Sequence, residues 1–218
     1  MKLVLIRLFI LLIIGIVALN YIKEKTNIVT GVSKIVGTNV LLVNRTHRLN
    51  SEYVPDDLVK VDINFLPEST EEEHYMKSEA AEALKDMVEG AAEDNIILTG
   101  LSGYRSYDTQ KNLYQYNVQT QGASYADEYV AKAGASEHQL GEAMDIATAS
   151  GWITEGCAEA EWIAENCYKY GFIVRYQRDK EDITGYSYEP WHVRYVGKKL
   201  AEKAYESGKT LEEFMSGI

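Results

Sequence analysis

Cysteine, proline, histidine and positive charge are all scarce in this chain of 218 residues. It holds 2 cysteines, 3 prolines and 4 histidines, and its 22 Lys and Arg are outnumbered by 33 Asp and Glu, for a formal net charge of -11. The deficit of positive charge argues against a nucleic-acid partner, because phosphate binding needs a positive field. It equally leaves no polybasic patch for a lipid surface. Cys157 and Cys167 flank "AEAEWIAEN". If that segment is helical, the cysteines lie about 15 Å apart, beyond disulfide reach, and neither has the CxxC spacing of a metal or redox site. Internal repeats and low-complexity segments are also missing. What remains is 46% hydrophobic residues, enough for one compact domain with length to spare.

The spare length lies at the amino end. "LVLIRLFILLIIGIVALNYI" is apolar apart from Arg7 and Asn20, and about 20 such residues cross a bilayer core. Arg7 sits close enough to the end to snorkel. The run leaves through "ALNYIKEK", a poor cleavage site for a signal peptide. These features predict an uncleaved signal anchor over residues 1–22, a connector over 23–40, and a domain over 41–218 on the far side of the membrane. Lys23 and Lys25 follow the span, so orientation rests on its signal-like character rather than on flanking charge.

Within the domain, residues 70–93 read as a helix with Met76, Ala80, Leu84, Met87 and Ala91 on one face. "NIILTG" reads as a short buried strand. "SYDTQKNLYQYNVQTQG" and "SYADEYVAKAG" read as two helices closed by glycines. "GEAMDIATA" alternates as a strand does, with Asp145 on the face of Ala143 and Ala147. "AEAEWIAENCYKYG" predicts a helix ended by Gly171, "FIVRY" and "SYEPWHVRYVG" predict strands, and a last helix starts near Lys198. Residues 177–185 read as an exposed hairpin tip. The expected fold is α+β, a small antiparallel sheet flanked by helices, rather than a regular βαβ repeat.

Three segments concentrate chemically able residues: "GYRSYDTQ" (103–110), "SEHQLGEAMD" (136–145) and "EPWH" (189–192). Pro190 forces Glu189 toward an extended conformation, so Glu189 and His192 are not helical neighbours. His192 shares a strand face with Arg194. Two neutral imidazoles and a carboxylate, His138, His192 and Asp145, suit zinc, and three protein ligands leave a position for water. Zinc lowers the pKa of such a water to about 7, and Glu189 is placed to take its proton. Each residue also has a plainer reading. His138 and Asp145 can be a buried hydrogen-bonded pair, "EPWH" a turn before a core strand, and Arg105 half of a surface ion pair.

The segments together resemble the VanY-type zinc D-alanyl-D-alanine carboxypeptidases, the group that also includes the VanX dipeptidases. Their signature S-x-H-x-x-G-x-A-x-D followed by E-x-x-H stands here as "SEHQLGEAMD" and "EPWH". The likeness runs over roughly residues 40–200 and takes in "SGYRSYDTQ". It implies zinc held by His138, Asp145 and His192, Glu189 as catalytic base, and Arg105 engaging the substrate or its transition state. Gln110 and Ser136 are candidate further donors to substrate, and Tyr188 and Trp191 candidate pocket walls. The implied substrates are peptidoglycan precursor peptides ending in D-Ala-D-Ala, cut outside a bacterial cell membrane. Their trimming serves wall maturation or removes the end bound by glycopeptide antibiotics such as vancomycin. Two alternatives stand beside this reading: an L,D-carboxypeptidase trimming tetrapeptides, and a wall-binding module without catalysis.

Overall fold

The computed structural model describes residues 33–35 and 38–216. The expected anchor at 1–22 and most of the connector lie outside these residues. Among the described residues, no helix is long and apolar enough to cross a membrane. Two short antiparallel ribbons come first, β1 (Ser33–Lys34) with β2 (Leu41–Leu42), and β3 (Leu58–Lys60) with β4 (Tyr75–Lys77). Then follow α1 (Ser78–Glu93), β5 (Leu98–Ser102), α2 (Tyr107–Gln121), α3 (Ala123–Tyr129), β6 (Ala143–Thr148), β7 (Gly151–Trp152) and α4 (Ala158–Asn166). The order closes with β8 (Phe172–Val174), α5 (Glu181–Thr184), β9 (His192–Tyr195), α6 (Lys198–Ser207) and α7 (Leu211–Ser216). The main sheet runs β5-β6-β9-β8, with β7 paired to β6. All its pairings are antiparallel. This is the expected α+β arrangement.

Side chains alternate across a strand, and the sheet uses that alternation to separate core from chemistry. Met144 and Ile146 of β6 and Val193 of β9 join Leu84 and Met87 of α1, Ile163 of α4 and Phe172 of β8 in one apolar cluster. The intervening positions turn to the other face: Ala143, Asp145 and Ala147 on β6, His192 and Arg194 on β9. Helix α1 supplies the cover because Ala80, Leu84, Met87 and Ala91 recur at helical spacing and are all buried. It ends where Asn95 takes a left-handed conformation with φ 62°, which asparagine tolerates better than most residues.

Several expected boundaries move. The helix expected over 70–93 begins only at Ser78; residues 72–74 form a 3-10 turn and 75–77 a strand. Tertiary pairing overrides propensity there. Met76 opposes Val59 across the ribbon, and Gly103 and Tyr104 donate their N–H groups to the carbonyls of Glu73 and Tyr75. The segment 177–185 is not a hairpin tip. It contains the helical turn α5, with Thr184 buried and Lys180 paired to Glu213 of α7 at 3.0 Å. The strand expected over 187–197 is confined to β9, because His192 N–H closes a turn onto the Glu189 carbonyl. Cys157 and Cys167 are free thiols, as their spacing implies.

Leu84 is fully buried between α1 and the sheet. Leu84→Ala is expected to lower stability by about 2–5 kcal/mol through lost burial and the cavity left behind. The measurement is the urea midpoint at unchanged m-value. A cost below about 1 kcal/mol, typical of an unremarkable substitution, would show that α1 is not seated as described.

Candidate metal centre

His138 is delivered by a 3-10 turn, Glu137–Leu140. Ser136 caps the turn, its hydroxyl accepting the His138 N–H at 3.4 Å. Gly141 ends it at φ 69°, where a Cβ would come within 2.8 Å of Leu58 Cδ2. Both the left-handed backbone and the space therefore call for glycine. The His138 ring donates from Nδ1 to the Gly103 carbonyl at 2.7 Å. That leaves Nε2 facing Asp145 Oδ2 at 3.3 Å.

Asp145 and His192 meet because β6 and β9 place them directly opposite one another. His192 Nδ1 lies 3.0 Å from Asp145 Oδ1. The two imidazoles stand edge to face with centroids 4.9 Å apart. One ligand atom from each of His138, Asp145 and His192 falls within 4.8 Å of the others, and all three residues are buried. Two imidazoles and one carboxylate at this spacing fit zinc. The plainer reading of His138 and Asp145 as a structural pair does not account for the third ligand atom arriving at the same point.

Glu189 and Arg105 flank the cluster. Glu189 Oε2 lies 3.8 Å from His192 Nδ1, and its backbone N–H bonds to the Tyr176 carbonyl. Burial pushes its carboxyl up to about 7, with Asp145 adding to the rise while His192 opposes it. Arg105 reaches Asp145 Oδ2 with Nη2 at 3.5 Å and donates from Nη1 to Gln110 Oε1 at 2.8 Å. Gln110 in turn donates to the Ala131 carbonyl at 2.7 Å, so it ties Arg105 to the segment after α3. Arg105 itself enters just before α2, whose first turn is capped by Ser106 accepting the Thr109 N–H.

These residues line a cleft of about 640 Å³. Gln110 and Ser136 both reach it, and Trp191 forms part of its wall together with Trp152, Tyr125 and Tyr129. Tyr188 does not. It lies under the Arg178 guanidinium, 4.7 Å from ring centroid to Cζ, on the border of a separate shallow cleft. Trp191 also meets Trp152 edge to face at 6.0 Å.

Sequence reasoning missed the residues behind the cluster. Glu137, Arg175 and Arg194 are buried charged side chains, and Glu137 Oε1 accepts from both arginines at 2.8 Å. Burial opposes its ionised form, but the two guanidinium groups outweigh that and hold it well below the usual carboxylate range. The available signal was an arginine inside each of two otherwise apolar strands, "FIVRY" and "HVRYV", with an acid next to a candidate ligand.

Fold and site together define a class: an α+β protein with three candidate metal ligands, His138, Asp145 and His192, facing a cleft. The model of the VanY family, D-alanyl-D-alanine carboxypeptidase, matches residues 73–198, and the chain belongs to that family. YodJ of Bacillus subtilis (strain 168) is 45% identical over 186 residues, which is 83% of this chain and 68% of that protein. Among solved structures, the L,D-carboxypeptidase LdcB superposes with a TM-score of 0.76 at 42% identity, covering 86% of this chain and 94% of the other. A VanY D,D-pentapeptidase variant solved in complex with Zn(II) gives a TM-score of 0.64 at 34% identity, covering 79% and 96%.

The metal-free centre should resist metal at low pH. Burial disfavours a charged His192, but the carboxylates of Asp145 and Glu137 outweigh it and hold the imidazole up to about 9. A metal must therefore displace a proton from this ring at neutral pH. Zinc affinity is expected to rise by roughly tenfold per pH unit from about 7 toward 9. Calorimetry in buffers of different ionisation enthalpy counts the released proton, and a pH-independent affinity would contradict the assignment of His192 as a ligand.

Proposed function

We propose that this chain is a zinc-dependent D,D-carboxypeptidase that removes the terminal D-Ala from peptidoglycan precursor peptides ending in D-Ala-D-Ala. The observation that carries the reading is the convergence of His138, Asp145 and His192 on one buried point, with Glu189 and Arg105 beside it at the head of the cleft. His138, Asp145 and His192 would hold zinc, which would supply Lewis acidity toward a water and the scissile carbonyl. Glu189 takes the proton of the attacking water and returns it to the leaving amine. Burial raises its carboxyl and a cation beside it would draw it down again, two opposed effects on the one group placed to exchange protons with the water. Arg105 pairs with the substrate's terminal carboxylate through its planar guanidinium and answers the negative charge that develops during attack. Gln110 keeps that guanidinium aimed, and Ser136, at the cleft wall, is a further donor to the peptide. The D,D reading is supported by the family description and by the zinc-bound D,D-pentapeptidase.

A second reading has its own support. LdcB, at 42% identity over 86% of this chain, is an L,D-carboxypeptidase, and a water activated as proposed would attack either peptide bond by the same chemistry. Either substrate would lie along the walls of the cleft, Tyr125, Tyr129, Trp152 and Trp191 among them, and the two readings differ in the chirality of the residue before the scissile bond.

Residues 1–22 are proposed to anchor the protein in the bacterial cell membrane, with 41–218 on the extracytoplasmic side. The anchor rests on the length of the apolar run, and the orientation on its signal-like character, since lysines flank it on both sides. Lipid-linked wall precursors on that side would then lie within reach.

The test incubates the zinc-loaded full-length chain with UDP-MurNAc-pentapeptide and, separately, with the tetrapeptide, and follows the products by mass spectrometry. Loss of D-Ala from the pentapeptide alone is expected. Cleavage of the tetrapeptide alone moves the assignment to the L,D class, and cleavage of neither removes the catalytic reading. Glu189→Ala should keep its zinc yet lose at least about 100-fold in turnover, the usual scale of a general base.

A further inference from the structure

The metal reading leaves unexplained why a carboxylate, Glu137, is buried directly behind His192 with its side chain fully enclosed. Its Oε1 is occupied by Arg175 Nε and Arg194 Nη1. Its Oε2 has no hydrogen-bond partner, and neither does His192 Nε2. These two orphaned atoms face each other at 3.5 Å, one an acceptor and the other the ring nitrogen on the far side from the cluster. A buried polar group without a partner is costly, so a complementary pair at this separation reads as a hydrogen bond left slightly open.

We propose that Glu137 is the positioning residue of the third metal ligand: its carboxylate takes the His192 Nε2–H and so holds Nδ1 toward the metal. This deepens the metal reading and rests on it. His138 follows the same logic with its nitrogens exchanged, its Nδ1 given to the Gly103 carbonyl and its Nε2 left for the ion. In each ring the outer nitrogen is engaged, and that fixes which nitrogen keeps its lone pair. A carboxylate on Nε2–H additionally makes the ligating nitrogen a better donor. The arginines compensate the buried charge and aim it. Arg175 is gripped from behind by both oxygens of Glu212, at 2.7 and 3.0 Å, and Arg194 by Glu142 at 2.6 Å. Neither guanidinium touches the metal cluster, so both act through Glu137.

The discriminating variant is Glu137→Gln. Its amide oxygen is drawn to the two guanidinium groups, which can only donate, and this turns the NH2 group toward His192 Nε2. Donor then faces donor unless the ring moves its proton to Nδ1, the ligating atom. In the full-length chain, zinc affinity measured by chelator competition is expected to fall between about 10- and 100-fold, with circular dichroism unchanged. The tautomer is read separately by proton–nitrogen correlation spectra of the histidine-labelled protein. In the zinc-loaded wild type His192 should ligate through Nδ1 and carry its proton on Nε2, and His138 the reverse. Metal-free Glu137→Gln, once its His192 ring is neutral, should carry the proton on Nδ1 and none on Nε2. Coordination of His192 through Nε2, or wild-type zinc affinity in Glu137→Gln, overturns the proposal. Should the variant not fold, the wild-type spectrum alone decides. A wild-type chain that binds no zinc instead defeats the metal reading beneath it.

Discussion

Asp145 and His192 oppose one another across two antiparallel strands, and the site depends on that register. Side-chain direction repeats every two residues, so a slip of one position would carry either residue to the apolar face. The register is pinned from the core side, where Met144 opposes Val193 and both are fully buried in the main cluster. Ala143 and Ala147, on the face of Asp145, leave room for the neighbours of the ligands. The same apolar packing that stabilises the sheet therefore sets how Asp145 and His192 face one another.

The other components are placed by the backbone around this pair. Where β5 runs beside β6, the pairing shifts between Gly100 and Ser102, and Gly103 follows at once. A Cβ on Gly103 would lie 2.7 Å from the carbonyl oxygens of Glu73 and Tyr75. Only glycine lets the chain lie against that ribbon and offer its own carbonyl to His138. Arg105, two residues further, arrives beside Asp145 for the same reason. The signature residues are thus separated along the chain but bound through a few close backbone contacts.

The convergence of His138, Asp145 and His192, with Glu189 beside them, was legible because they sit in short motifs whose residue types have few other uses together. Strand alternation in "GEAMDIATA" correctly turned Asp145 toward the small residues. The α+β class was legible from periodicity, and so was the apolar stripe of α1. What was not legible was set by partners distant in sequence. Residues 75–77 pattern as a helix, yet they are held extended by β3 and by the backbone of Gly103 and Tyr104. Tyr188, two positions from a helix-breaking proline, was open to a wall or a packing role, and it packs under Arg178 away from the cleft. Glu137 looked like an ordinary acid in a turn. Its meaning appears only when "FIVRY" and "HVRYV" bring Arg175 and Arg194 to the same buried point.

The charge network behind the ligands has an energetic peculiarity. Glu137, Glu142 and Glu212 interlock with Arg175, Arg194 and Lys77, so the cluster is close to neutral although several of its members are fully buried. Desolvating so many charges commonly offsets what their attraction returns, and well-packed apolar side chains of similar volume often stabilise a fold as much or more. Stability alone is therefore a weak reason for this arrangement. Orientation is a stronger one, because apolar packing can hold an imidazole in place but cannot choose which nitrogen carries the proton. A carboxylate fixed by two guanidinium groups does choose. The network also extends to α7 through Glu212, so the last helix, far from the motifs in sequence, braces the carboxylate that lies behind His192.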